Sequence, residues 1–287
     1  MIRKTLALLI PFILVIGMTG CGDDEGDPPG ITVNPVLKFT AGDKFTYNYY
    51  ERDESGARVE SSKEVVVWTV LRSGLDTLGQ NEVVEIQETR YDASGVTVTD
   101  SSKIYYSIYQ GELSQYNLFQ TVIARFGGQA DLSAYVKDLN NSWVTVNSTK
   151  DANARVLQSN SNIINQTLQN FTVAGFQFDL KLKLGINSQH QGRGELTVPT
   201  KTYSTAYSTD DWVYVNATNV DAIPALSLPA NSTIINDSVL IHYDVDVNDG
   251  ILRQTMDSKK VSVGGFIEQP VNGYEMELTA VERVSAE

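Results

Sequence analysis

Few residues of this 287-residue chain have the chemistry of a catalytic or metal centre: one cysteine, Cys21, and two histidines, His190 and His242. A single cysteine excludes a disulfide framework and a multi-cysteine zinc site. His242, Asp244 and Asp246 occupy alternate positions of one apolar-polar run, and Asp249 lies in the turn after it. Alternate residues of a strand point to one side, so Asp244, Asp246 and Asp249 are candidate oxygen ligands for a hard cation such as calcium. The letters Asp244 to Gly250 come close to an EF-hand loop, but Gly250 falls one position late and Thr255 stands where the bidentate Glu belongs. A solvated strand face ending in an Asp-Gly hairpin accounts for the same letters and is the expected reading. His190, within Ser188-Gln189-His190-Gln191-Gly192-Arg193-Gly194, reads as part of a surface turn. The sequence has no Gly-x-Ser-x-Gly elbow, no His-Glu-x-x-His pair and no Walker-type loop. We therefore expect no enzymatic activity, assign no catalytic residue and no cofactor, and rank a carboxylate-based hydrolase last.

Aromatic residues offer a different chemistry. The chain has 14 Tyr, 9 Phe and 3 Trp, with a cluster at Tyr105, Tyr106 and Tyr109 and then Tyr116. Rigid rings with a polar tip suit binding faces, so Tyr105, Tyr106, Tyr109 and Trp143 are the candidate binding residues. The simpler account is that tyrosine fits a half-buried strand.

The elements that must position these groups are mostly strands. Phe45, Tyr47 and Tyr49 alternate with polar residues, as do Phe176, Phe178, Leu180, Leu182 and Leu184, then Val239, Ile241, Tyr243, Val245 and Val247, then Tyr274, Met276 and Leu278. Period two with one polar face predicts antiparallel sheet. Val65 to Leu71 is continuously apolar apart from Thr69 and reads as a central strand covered on both faces. Asp53-Glu54-Ser55-Gly56, Asp92-Ala93-Ser94-Gly95 and Asn248-Asp249-Gly250 predict hairpins, and the first two head a weak repeat ending in Ser61-Ser62-Lys63 and Ser101-Ser102-Lys103. Leu118, Phe119, Val122, Ile123 and Phe126 recur at helical spacing before Gly127-Gly128, and Leu132 to Leu139 follows Asp131 as an N-cap. The expected fold is mainly β (α+β): a large curved antiparallel sheet or half-barrel with a short helical segment near 113–139. Region 147–170, rich in Asn, Gln and Ser, fits loops or polar edge strands.

The N-terminus is an address. Arg3 and Lys4 precede the apolar stretch Leu6 to Ile16, too short for a spanning helix, and Met18-Thr19-Gly20-Cys21 follows. This segment resembles the lipobox of bacterial lipoproteins, with Met18 where Leu is usual. The resemblance implies a signal peptide over 1–20 and lipidation of Cys21. An acidic Gly/Pro tether over 21–37 and a single β-rich domain over 38–287 complete the expected organisation. Cys21-Gly22-Asp23-Asp24-Glu25 looks like the acidic export signal of surface lipoproteins in Bacteroidetes; a soluble spacer facing the periplasm uses the same residues. Lys and Arg number 22 against 35 Asp and Glu, a formal charge of −13. That balance argues against nucleic acid as a partner and against adhesion to anionic lipid by charge. The acyl chains must hold the protein. The expected location is the bacterial outer membrane, lipid-anchored, facing the periplasm or the cell surface.

The order of elements, long hairpins, a helical interlude and more hairpins, resembles lipoproteins of the LolA/LolB and mycobacterial LppX families, whose half-barrel holds acyl chains. The resemblance implies an apolar or amphipathic ligand on the concave sheet, in a closed apolar cavity of a few hundred cubic ångströms. The alternative is a surface interaction module for protein or glycan partners, using exposed aromatics and loops such as Ile223-Pro224 to Leu228-Pro229.

Overall fold

The computed structural model describes residues 37–125, 142–150, 153–173, 175–265 and 267–284. Cys21, its flanking segments and the expected second helical piece at 132–139 lie outside the described residues. Fourteen strands follow in chain order: β1 (Lys44–Arg52), β2 (Arg58–Thr77), β3 (Gln80–Tyr91), β4 (Val98–Tyr109), β5 (Glu112–Tyr116), β6 (Trp143–Ser148), β7 (Arg155–Val173), β8 (Phe176–Thr197), β9 (Thr202–Asn219), β10 (Thr233–Asp246), β11 (Gly250–Met256), β12 (Lys259–Val263), β13 (Ile267–Val271) and β14 (Gly273–Glu282). Among the described residues one α-helix, α1 (Leu118–Ile123), follows β5, and a single 3-10 turn spans Pro224–Leu226. Twelve strands form one antiparallel sheet in the order β6-β5-β4-β3-β2-β1-β14-β11-β10-β9-β8-β7, and β12 and β13 form a separate hairpin. The architecture is the mainly β, one-sheet arrangement that the alternation predicts.

The two hairpins that head the sequence repeat are built alike. Asp53 Oδ1 accepts from the Ser55 and Ala57 amides at 2.8 and 3.0 Å and from Ser55 Oγ at 2.6 Å. Asp92 Oδ1 takes Ser94 Oγ at 2.6 Å and the Val96 amide at 3.2 Å. An aspartate that satisfies its own turn in this way competes well with continued strand. The repeat is thus two hairpins of one meander, β1–β2 and β3–β4.

Three expectations need correction. Residues 113–116 are strand, not helix: Gln110 and Gly111 both adopt positive φ (52° and 77°), and this two-residue turn returns the chain antiparallel as β5. The apolar run in β2 is covered on one side only: Val66, Trp68 and Val70 are buried, whereas Val65, Val67 and Thr69 stay half-exposed. His190 is in no surface turn; it lies inside the 22-residue β8, fully buried, and Gly192 and Gly194 fall at shifts in the β8–β9 register. The polar stretch beginning at Arg155 is β7, an edge strand of 19 residues.

The sheet does not close into a ladder between its end strands. Instead it bends until β6 abuts β7, β8 and β9. Asn147 Nδ2 donates to the Tyr207 carbonyl at 3.0 Å, Ser188 Oγ donates to the Thr145 carbonyl at 3.1 Å, and the Thr145 amide donates to Gln158 Oε1 at 3.2 Å. Side chains therefore satisfy an edge whose backbone groups would otherwise be buried unpaired. This contact explains why Asn147, Ser188, His190, Thr209 and Asp211, all fully buried, interrupt an otherwise apolar interior. Burial pushes the Asp211 carboxyl well above the usual carboxylate range.

The concave face is filled by its own side chains. Trp68, Tyr47, Tyr106, Tyr243, Phe45 and Phe119 are each 2% exposed or less. All four apolar residues of α1, Leu118, Phe119, Val122 and Ile123, are buried in this core.

Candidate functional site

Beside α1 the core leaves a pocket of about 160 Å³ whose wall is aromatic and charged. Tyr49 of β1, Trp68 of β2, Glu88 and Arg90 of β3, Tyr274 of β14 and Arg125 line it. The alternation that buries Phe45 and Tyr47 also turns Tyr49 inward, where its ring stacks on Tyr274 with centroids 5.6 Å apart. Arg90 lies over the Tyr49 ring at 4.6 Å, while Arg125 lies over Tyr49 at 5.4 Å and over Tyr274 at 5.0 Å. Such cation–π contacts are worth about 0.5–2 kcal/mol each, most where water is excluded.

The two guanidinium groups differ. Arg90 pairs with Glu88 at 3.0 Å and Glu64 at 3.2 Å, and the other Glu88 oxygen accepts Trp68 Nε1 at 2.8 Å. Arg125, just past the end of α1, has no carboxylate partner among the described residues. Its own carbonyl accepts the Asn272 amide at 3.2 Å, which ties this corner to the start of β14. The Tyr49 hydroxyl is buried beside the Arg90 and Arg125 guanidinium groups and has no acceptor for its proton among the described residues; burial raises its titration above the ordinary range, and the two cations oppose that rise. Along the opposite wall Gln254 Nε2 donates to Tyr274 at 2.6 Å and to Tyr243 at 3.1 Å, and Tyr243 donates to Gln115 Oε1 at 3.0 Å.

The candidate binding residues from the aromatic cluster do not come together. Tyr106 points inward, packs on Trp68 at 5.5 Å and is 2% exposed. Tyr105 and Trp143 instead belong to an outward ladder with Tyr116 between them, at 6.1 and 5.0 Å. Trp143 Nε1 reaches across to the Leu78 carbonyl at 3.0 Å. Tyr109 is exposed at the end of β4 and lines a separate groove of about 460 Å³ with Leu37, Phe39 and Ile108. The loop from Ile223 to Pro229 is stitched down by an Ile223–Leu228 bridge and by Asn219 Nδ2 on the Pro229 carbonyl at 2.7 Å.

The three candidate cation ligands are also dispersed. Asp244 takes Ser208 Oγ at 2.6 Å and Arg253 at 2.9 Å; Asp246 accepts the Asn248 and Asp249 amides at 2.9 and 3.1 Å; Asp249 pairs with Lys201 and Tyr203, both at 2.7 Å. Among the described residues no group of three His, Cys, Asp or Glu side chains is placed to hold a metal ion. Alternation put Asp244 and Asp246 on one strand face, but each found a nearer partner.

His242 sits between Asp210 at 2.6 Å and Asp244 at 3.1 Å. Burial opposes a charged ring, yet these two carboxylates outweigh it and lift the imidazole to about 9. The folded value exceeds the unfolded one, so the stabilisation is complete below about pH 6.5 and disappears as pH rises through 9. His242→Gln is expected to cost on the order of 2 kcal/mol at pH 6 and almost nothing above pH 9.5. Urea denaturation of both proteins across that range checks it.

An open twelve-stranded antiparallel sheet with a small cationic, aromatic pocket beside one short helix defines this protein's class. No known protein family matches the chain, and no curated protein matches it. Solved structures that match include a candidate lipoprotein from Parabacteroides distasonis, 13% identical with a TM-score of 0.44, over 86% of this chain and 97% of that one. A candidate exported protein with a YmcC-like fold from Bacteroides fragilis is 12% identical with a TM-score of 0.36, over 86% and 99%. Among the described residues no helix is long and apolar enough to cross a membrane, which says nothing of strands.

Sequence reasoning missed Tyr49, Arg90, Arg125 and Tyr274 as one group. Tyr49 and Tyr274 were visible as inward positions of alternating strands, but their pairing across β1 and β14 joins residues far apart in the chain.

Proposed function

We propose that this protein is a cell-envelope lipoprotein, acylated at Cys21, whose folded body is a non-enzymatic binding module with the pocket beside α1 as its receptor. Met18-Thr19-Gly20-Cys21 and the acidic tether support the anchor, and the absence of Asp after Cys21 supports the outer membrane over inner-membrane retention. The chain's formal charge of −13 repels anionic head groups, which leaves the acyl chains to hold it. The observation that carries the binding reading is Arg125: a guanidinium without a carboxylate partner among the described residues, fixed over two stacked tyrosines in a protein rich in acid.

An acyl chain or other apolar ligand gains no support from the described interior, where Trp68, Tyr47 and Tyr243 occupy the space it would need. A surface module remains as the second reading, favoured by the outward ladder Tyr105, Tyr116 and Trp143.

Fractionation tests the anchor. The wild-type chain is expected to sediment with membranes after a salt wash and to yield a mature mass beginning at Cys21 with acyl groups, while Cys21→Ser is expected in the soluble fraction. A Cys21→Ser protein that stays in washed membranes overturns it.

A further inference from the structure

We propose that the pocket beside α1 binds a small oxyanion, a carboxylate or phosphate group, held by the Arg125 guanidinium with the Tyr49 hydroxyl as second donor. This deepens the receptor reading above and rests on it.

Four observations converge. Carboxylate pairing is the first: Glu88 is engaged on both oxygens by Arg90 and Trp68, and Glu64 is held by Arg90, which leaves Arg125 as a pocket guanidinium with no carboxylate partner among the described residues. Donors come next. The Tyr49 side chain is only 3% exposed, its hydroxyl lies beside the Arg90 and Arg125 guanidinium groups with no acceptor for its proton among the described residues, and it lines the same pocket. A buried hydroxyl proton without an acceptor is unfavourable, and an acceptor in the pocket would remove that cost.

Pre-organisation is the third observation. The Arg125 guanidinium carbon is held 5.4 and 5.0 Å from the Tyr49 and Tyr274 ring centroids, and a guanidinium is a fork of N–H donors that matches carboxylate or phosphate oxygens. The Asn272 amide bond to the Arg125 carbonyl holds the residue at its backbone. Size is the last. About 160 Å³ admits an oxyanion group but not a lipid tail or an oligosaccharide, so a larger ligand would present only its charged group here.

The competing account is that Arg125 merely pins α1 to the tyrosine stack. That role requires a cation over the rings but no acceptor at its edge, and it leaves the Tyr49 hydroxyl proton without an acceptor among the described residues.

Calorimetric titration of the full lipidated chain in neutral detergent separates the two. The probes are inorganic phosphate and glucuronate at constant ionic strength, with glucose and chloride as controls. Saturable binding of at least one anion, absent for glucose and chloride, is expected. Tyr49→Phe, which keeps the ring stack, is expected to weaken binding about tenfold, the value of one hydrogen bond to a charged group. Arg125→Gln is expected to abolish it, and Arg125→Lys, which keeps the charge but not the fork, to restore it only in part.

Vesicles of phosphatidylglycerol distinguish the source of the group. Vesicle binding that Arg125→Gln removes places the anion on a lipid head group, whereas binding of soluble anions alone places it on a free solute. No binding of either kind overturns the proposal, as does binding that is equal in wild type, Tyr49→Phe and Arg125→Gln. The Cys21→Ser chain is expected to bind soluble anions as the wild type does, so failure of the anchor and failure of the pocket give different results.

Discussion

Trp68→Ala is expected to destabilise the protein by about 3–5 kcal/mol, the range for emptying a large aromatic from a packed core. Trp68 is 2% exposed, packs on Tyr47 at 4.9 Å and on Tyr106 at 5.5 Å, and donates to Glu88 at 2.8 Å. Truncation removes the apolar burial, opens a cavity between three strands, and takes one of the two donors that hold Glu88. Since a domain is stable by only about 5–15 kcal/mol, a large part of the total is lost. Urea denaturation is expected to show a lower midpoint with an unchanged slope. Trp68→Phe keeps a ring against Tyr47 and loses the indole donor, and about 1–2 kcal/mol is expected for it. Equal losses in the two variants would mean that the hydrogen bond, not the ring packing, dominates.

Gly273→Ala is expected to cost about 3 kcal/mol although it adds one methyl group. A Cβ at Gly273 would lie 2.5 Å from the Ser258 amide nitrogen and 2.6 Å from Ser258 Oγ, and closer still to the Met256 carbonyl oxygen. Two of those atoms are backbone and have nowhere to go. Ser258 also links the site together, since its Oγ donates to the Arg52 carbonyl at 2.6 Å and accepts the Gly273 amide at 2.8 Å. The methyl would therefore disturb the point where the ends of β1 and β11 meet the start of β14, next to the Tyr274 wall of the pocket. Thermal unfolding checks the loss. Adding Ser258→Ala to Gly273→Ala is expected to relieve little of it, because the carbonyl and amide remain; full relief would show that Ser258 Oγ alone was the obstacle.

The local elements were legible because their causes are local. Alternation in Phe45–Tyr49, Leu180–Leu184, Val239–Val245 and Tyr274–Leu278 gave the buried faces correctly, since a strand turns successive side chains to opposite sides wherever it is placed. Asp53, Asp92 and Asp249-Gly250 marked real hairpins because an Asx turn is made within a few residues. The helix at Leu118–Ile123 was visible from its stripe, but its start was not: the two positive-φ residues Gln110 and Gly111 carry no strong turn spelling.

His190 was misplaced for a different reason. Its glycines looked like a turn, while in the fold they sit at register shifts inside a long strand. Nothing nearby in sequence announces that β6 will fold across β8 and bury it. The candidate cation ligands are dispersed for a like reason: Arg253 and Ser208 reach Asp244 from neighbouring strands, and Lys201 reaches Asp249 from the turn before β9.

By itself the sequence determined the strand-rich class, the inward residues of each strand, the hairpin turns and the acid excess, all of which follow from neighbours a few positions apart. Only the tertiary structure decided which inward faces meet: Tyr49 on Tyr274, Arg90 and Arg125 over both or one of them, and β6 against β8 and β9. Pairing partners in an antiparallel sheet are chosen by the whole chain's register and curvature, and no stretch of sequence carries that choice alone.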